Sequence, residues 1–313
     1  MKAIQFLTLT ALGAALFASC SNEEELTRGS YPNDNIIRVT AGVNNMTRGD
    51  EVTTALNKDF SLTVVNSTND NYSYANEIFS LNSGNEWSST NKLLWENLST
   101  PVEIVALYPA KDANTFTGVF SKESNTYGTI TYSVSPDQNP ANDADDLLLY
   151  HNTNFVPKDD LKDGKLDIPF NHAFCRVDIE VIIGTEFNAT DGLAANPIQG
   201  IRVEGTKTTA KIDFTSTAPF FTVTPSASED AASIIPTESD FTQTASATDQ
   251  AVAKYSCIVI PQTATLKVVL HTSDMEFEWT DTKKELESGK QYTLQLNLKK
   301  SATTRNFILR ERK

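Results

Sequence analysis

Histidine, cysteine, methionine and tryptophan each occur only three times in 313 residues. With so few thiols and imidazoles, neither a disulfide framework nor a multi-ligand zinc site has much to be built from. His151, His172 and His271 fall on three separate segments, and none has a second His or Cys at metal-ligand spacing. Positive charge is also scarce. The 26 Lys and Arg face 40 Asp and Glu, a net charge of −14, which argues against nucleic acid or an anionic membrane surface as the main partner. The nucleophile elbow, the His-Glu metal motif and the facing carboxylate pair that enzymes advertise are missing, so no catalytic residue, cofactor or metal site is expected. Asp137, Asp143, Asp145 and Asp146 invite a calcium reading but lack the twelve-residue loop with central Gly and terminal Glu, and a solvated acidic loop is the plainer expectation.

What is present begins with Lys2 and an apolar run over residues 4–18, too short to span a bilayer, which leads through Ala18 and Ser19 to Cys20. This reads as a signal peptide over residues 1–19. Leu16, Phe17, Ala18, Ser19 and Cys20 resemble a bacterial lipobox, with Phe17 where Leu is more usual. The resemblance implies that Cys20 becomes the acylated, palmitate-bearing first residue of the mature chain; an ordinary secretory signal with an incidental Cys is the alternative. Residues 20–35 then form a tether. Its Ser21, Asn22 and three glutamates are similar to the tag that sends lipoproteins to the outer face of the outer membrane, although a charge run also serves as a plain solvated linker.

Beyond the tether the apolar residues recur with period two in short runs separated by Asn, Asp, Gly, Ser and Pro, and long amphipathic helices are lacking. Ile37, Val39, Ala41 and Val43 share one face of a strand. Phe60, Leu62 and Val64 repeat the pattern, as do Leu166, Ile168 and Phe170, and then Cys175, Val177, Ile179 and Val181. Residues 102–108 are apolar on both faces, as in a central strand. Residues 184–197 are polar and read as a domain joint, after which strands are predicted over 201–203, 210–214, 255–260, 266–270, 275–279 and 292–298. In the run 275–279, Met275, Phe277 and Trp279 face one way and Glu276 and Glu278 the other. Residues 226–249 are predicted to be a long polar excursion with at most a short helical turn. The fold class is all-β, with two sandwiches in series over residues 36–184 and 185–313.

Several phrases together resemble the fimbrillin family of outer-membrane lipoprotein pilins, the type V pilins. They are Ile36-Ile37-Arg38-Val39-Thr40-Ala41 followed by Thr47-Arg48-Gly49; Asp146-Leu147-Leu148 before residues 166–173; the run 255–262 ending in Ile260-Pro261-Gln262; and Gly289-Lys290-Gln291-Tyr292-Thr293. The resemblance implies two transthyretin-like β-sandwich domains, a lipidated precursor in the cell outer membrane, and assembly into a fimbrium by strand exchange with other pilin subunits. A trypsin-like protease then cuts after an Arg or Lys beyond the first strand. Here Arg48 stands in a polar loop just past Val43, so residues 36–48 would be the removable strand and its cleavage loop. Arg28 is the alternative processing site. Shaft pilins of the family donate a C-terminal extension, whereas only residues 301–313 follow the last predicted core strand, with Phe307-Ile308-Leu309 as a short candidate donor. This weakens a shaft role and leaves tip, accessory and short-donor roles open.

Other features have plainer explanations. Arg48-Gly49-Asp50 spells an integrin-binding tripeptide, but three-residue matches are cheap and cleavage after Arg48 would split it. Cys175 and Cys257 lie on separate apolar strands and are expected as buried thiols in different domains. Trp87, Trp95 and Trp279 with exposed Tyr72, Tyr74 and Tyr127 would suit sugar stacking, which makes a surface glycan-binding lipoprotein the alternative function. Trp87 and Trp95 would equally suit a hairpin packed on the core.

Overall fold

The computed structural model describes residues 34–44, 56–110, 120–121, 126–138, 146–215, 221–228, 230–300 and 307–311, with the backbone alone at 120–121, 126–127 and 307–311. In the first half the strands are β1 (Val39–Val43), β2 (Phe60–Val65), β3 (Tyr74–Leu81), β4 (Trp87–Ser89), β5 (Val102–Tyr108), β6 (Phe120–Ser121), β7 (Thr126–Tyr127), β8 (Thr129–Ser133), β9 (Leu148–Phe155), β10 (Leu166–His172) and β11 (Cys175–Ile183). The α-helix among the described residues is the single turn Pro157–Asp160. No helix there is long and apolar enough to cross a membrane. The chain is all-β, as its period-two patterning predicts.

Seven strands close on one another in the order β1-β10-β9-β5-β2-β3-β4. Their inward side chains form one core, in which Phe60 stacks on Phe79 at 5.3 Å and meets Phe170 edge-on at 5.6 Å. Trp95 stacks on Phe155 at 5.7 Å at the other end. Offset and edge-on aromatic pairs of this kind add to the stabilisation that burial alone gives.

The second half contains β12 (Gly200–Thr206), β13 (Thr209–Phe214), β14 (Phe221–Pro225), β15 (Ala232–Ile234), β16 (Thr237–Thr242), β17 (Ala251–Val259), β18 (Gln262–Ala264), β19 (Lys267–His271), β20 (Glu276–Thr280), β21 (Lys284–Leu286), β22 (Gln291–Leu298) and β23 (Phe307–Glu311). A sheet ordered β16-β17-β11-β22-β23 contributes Val177, Ile179, Leu294 and Leu296 to the same core as Ile201, Val203, Val268 and Leu270 of the sheet β15-β12-β19-β20. A third sheet, β14-β13-β8, adds Ile130, Tyr132 and Ile212. Trp279 points into this core while Glu276 and Glu278 of the same strand are exposed, the two-faced pattern expected for residues 275–279.

Backbone pairing crosses the boundary expected at residues 184 and 185. β11 lies between β17, antiparallel, and β22, parallel, and β8 pairs with β13. Residues 184–197 connect β11 to β12 and pack along residues 244–249, where the Asn188 amide donates to the carbonyls of Ser246, Ala247 and Asp249. The predicted excursion over 226–249 contains β15 and β16. β16 is the outer strand of its sheet and mostly exposed, so its sequence carries no alternating apolar signal.

The two cores share a wall. Ile104, Ala106 and Tyr108 of β5 face the first core, and Val105 and Leu107 of the same strand face the second. On β9, Leu148 faces the first core and Leu149 the second. This accounts for residues 102–108 being apolar on both faces.

Candidate functional site

The residue pattern of β1 puts Ile37 and Val39 in the first core, each 5% exposed, with Ala41 and Val43 half-buried behind them and Thr40 and Gly42 outward. All four apolar residues predicted to share a face do so. β1 runs parallel to β10 in the register Val39↔Leu166 to Val43↔Phe170. Leu166 N–H donates to Arg38 O and Asn44 N–H to Phe170 O, each at 2.8 Å. Since strand polar groups alternate sides, the peptide groups of Thr40 and Gly42 also face β10, and those of Val39, Ala41 and Val43 face the opposite way. Pro169 lies opposite Gly42 at a position whose nitrogen points away from β1, so its missing N–H costs this ladder nothing.

On the other side of β1 the pairing is slight. β4 meets it only at Val39↔Trp87. Among the described residues no strand is paired to Ala41 or Val43 on that side, and a cleft of about 380 Å³ opens there, lined by Ala41, Gly42, Leu56, Leu81, Trp87 and Lys165. Upstream the strand is held more firmly. Ile37 N–H donates to Leu93 O at 2.9 Å, Trp95 N–H donates to Asn35 O at 2.8 Å, and Ile36 bridges Leu94. Arg38 donates through both Nη atoms to the Asp34 carboxylate at 2.9 and 2.6 Å, and Asp34 also accepts from Ile36 N–H at 3.1 Å. The Arg38 guanidinium holds the Asp34 carboxyl well below the usual carboxylate range. Sequence reasoning missed this clamp; its signal was an Asp four residues before an Arg at the entry to a strand.

The predicted lipidation and processing residues Cys20, Arg28 and Arg48 lie outside the described residues, as do Asp143 and Asp145. Phe307-Ile308-Leu309, the candidate donor, belongs to β23, which pairs antiparallel with β22 from Leu296↔Phe307 to Tyr292↔Glu311.

The remaining candidates are structural. Asp146 is hydrogen-bonded to His172, and His151 to Glu103 at 2.6 Å beside Phe214. His271 lies in a surface network with Arg202 and Glu276. Among the described residues no group of three or more His, Cys, Asp or Glu side chains is arranged to hold a metal ion. Cys175 and Cys257 are free, buried thiols. They occupy neighbouring strands of one sheet rather than different domains, because β11 and β17 pair with Cys257 opposite Val177. Trp95 and Trp279 are buried, and Trp87 packs edge-on against Phe60 at 4.8 Å. Tyr72 and Tyr74 are half-buried rather than exposed, and the Tyr74 hydroxyl donates to Leu94 O at 3.1 Å. Buried as they are, Trp95 and Trp279 present no open ring face of the kind a sugar platform needs.

Comparison with known proteins agrees with this architecture. The fold resembles that of a protein from Bacteroides ovatus described as a cell adhesion protein, with a TM-score of 0.58 and 14% identity, covering 89% of this chain and 96% of that one. A second protein so described, from Bacteroides uniformis, has a TM-score of 0.56 and 16% identity over 89% of this chain and 99% of that one. No curated protein matches the sequence. The sequence model of the fimbrillin-like family matches residues 38–308, which is most of the chain and runs from β1 to the first two residues of β23. The chain belongs to the fimbrillin-like family.

Proposed function

We propose that this protein is a fimbrial subunit or an accessory or tip adhesin of the cell surface, exported as a lipoprotein acylated at Cys20 and anchored in the outer membrane until a trypsin-like protease cuts after Arg48. Other subunits then join it by replacing β1. The observation that carries the reading is the construction of β1. Ile37 and Val39 are buried, yet β1 has one complete ladder, to β10, and a single pairing with β4. Fully burying a side chain such as Ile or Val is worth about 1.5–3 kcal/mol. Loss of the strand would expose those apolar sites together with the edge of β10, a combination that favours addition of a partner's strand. For β23 to be donated it would have to leave β22, because the two are paired over five residues.

The test is to digest the wild-type protein and Arg48→Ala with trypsin, sequence the new N-termini, and follow size by chromatography with and without subunits that carry a free donor strand. Wild type is expected to be cut after Arg48 and to assemble, and Arg48→Ala to remain monomeric. Equal assembly of the two would rule out release at Arg48 and move attention to Arg28. Cys20→Ala is expected to abolish partitioning with outer membranes.

A further inference from the structure

The two ends of β1 are held differently. The upstream end is fastened on both sides: to β10 through Arg38, and to residues 93–95 through Asn35, Ile36 and Ile37, with the Asp34–Arg38 clamp across the entry. Among the described residues the downstream end is fastened on one side. There Asn44 bonds to Phe170 O through its backbone and to Asn171 Oδ1 through its side chain at 2.9 Å, while Ala41 and Val43 are only half-buried and Ala41 borders the cleft. Apolar burial is also greatest upstream, at Ile37 and Val39. A strand fastened this way frays from its one-sided end, where fewer contacts are lost per residue released.

We propose that β1 opens from its Val43 end toward Ile37, so that an incoming strand of a second subunit first pairs with β10 at Phe170, and the segment from Asp34 to Arg38 is the latch released last. The order of events rests on the strand-exchange reading; the opening gradient does not. In the latch the carboxylate stays charged well below the usual carboxylate range, so mild acid leaves it closed. The cut proposed after Arg48 would free the same end that the structure fastens least.

Amide hydrogen exchange read by NMR tests the gradient on the intact chain. The amides of Gly42 and Asn44 are expected to exchange at least about tenfold faster than those of Ile37 and Trp95, as fits local opening rather than global unfolding. Asp34→Asn is expected to raise the Ile37 and Trp95 rates about two- to fivefold, the range for loss of an exposed ion pair, and to leave Gly42 unchanged. Equal rates at the two ends, or faster exchange at Ile37, would overturn the proposal. A second measurement separates this from the functional reading. A labelled synthetic peptide with the sequence of residues 36–44 is added to trypsin-cut protein, and its incorporation is followed. A gradient without incorporation supports the opening order and defeats strand exchange. Incorporation without a gradient does the reverse.

Discussion

Several individual side chains have surroundings that set their chemistry. The Cys175 and Cys257 thiols are buried in the second core, and removal from water pushes Cys257 up to about 12 and Cys175 well above its ordinary value of 9.0. A thiol with a raised folded-state pKa stays protonated while its unfolded counterpart ionises, so its contribution is intact below the ordinary thiol range and is lost as pH rises from there toward 12. Stability in urea is therefore expected to fall between pH 9 and pH 11, and Cys257→Ala should flatten that decline. Neither thiol should react with a maleimide at pH 8 until the protein is denatured. Gln138 is a second case. Its buried side chain receives Ile258 N–H at 2.7 Å and donates to Ile258 O at 2.8 Å, which completes β17 beyond its pairing with β16. Gln138→Ala should cost about 1–3 kcal/mol in a denaturant titration, because both backbone groups lose their partner. Nothing in the sequence marks Gln138, since the pairing joins residues 120 positions apart.

At the scale of the element, β1 was readable in advance and its mode of attachment was not. Alternation at Ile37, Val39, Ala41 and Val43 gave the buried face, because a strand's side chains alternate regardless of its neighbours. That β1 runs parallel to β10 and is left half-open toward β4 depends on where distant strands arrive. The depth of burial predicts a graded response to charge. Val39→Asp places a carboxylate opposite Trp87 in the first core and should cost several times more stability than Val43→Asp, whose side chain can reach water from a half-buried position. Thermal melts of the two variants check this, with equal losses counting against the assigned burial. The polar strand β16 shows the opposite situation: it is an outer strand that forms by pairing with β17, and residues 237–242 read alone suggest a loop.

For the whole molecule, the shared wall of β5 and β9 makes the two cores mechanically dependent. Ile104→Ala empties space in the first core and Leu107→Ala in the second, each at a fully buried site, and large-to-small changes of this kind cost about 2–5 kcal/mol. Because both residues sit on one strand, each variant should lower a single thermal transition observed by near-ultraviolet circular dichroism, with probes in both cores moving together. Two separated transitions would show that the wall does not couple them. The sequence by itself determined the all-β class, the inward residues of most strands and the two-faced character of residues 102–108, since these follow from side-chain alternation and composition along a local stretch. Only the tertiary structure decided that β11 pairs with β17 and β22, that the two cysteines are neighbours, that Trp95 and Trp279 are buried, and that β1 is latched at one end. Those outcomes depend on long-range pairing and on which face meets which core, and a one-dimensional pattern of apolar and polar residues is compatible with many such arrangements.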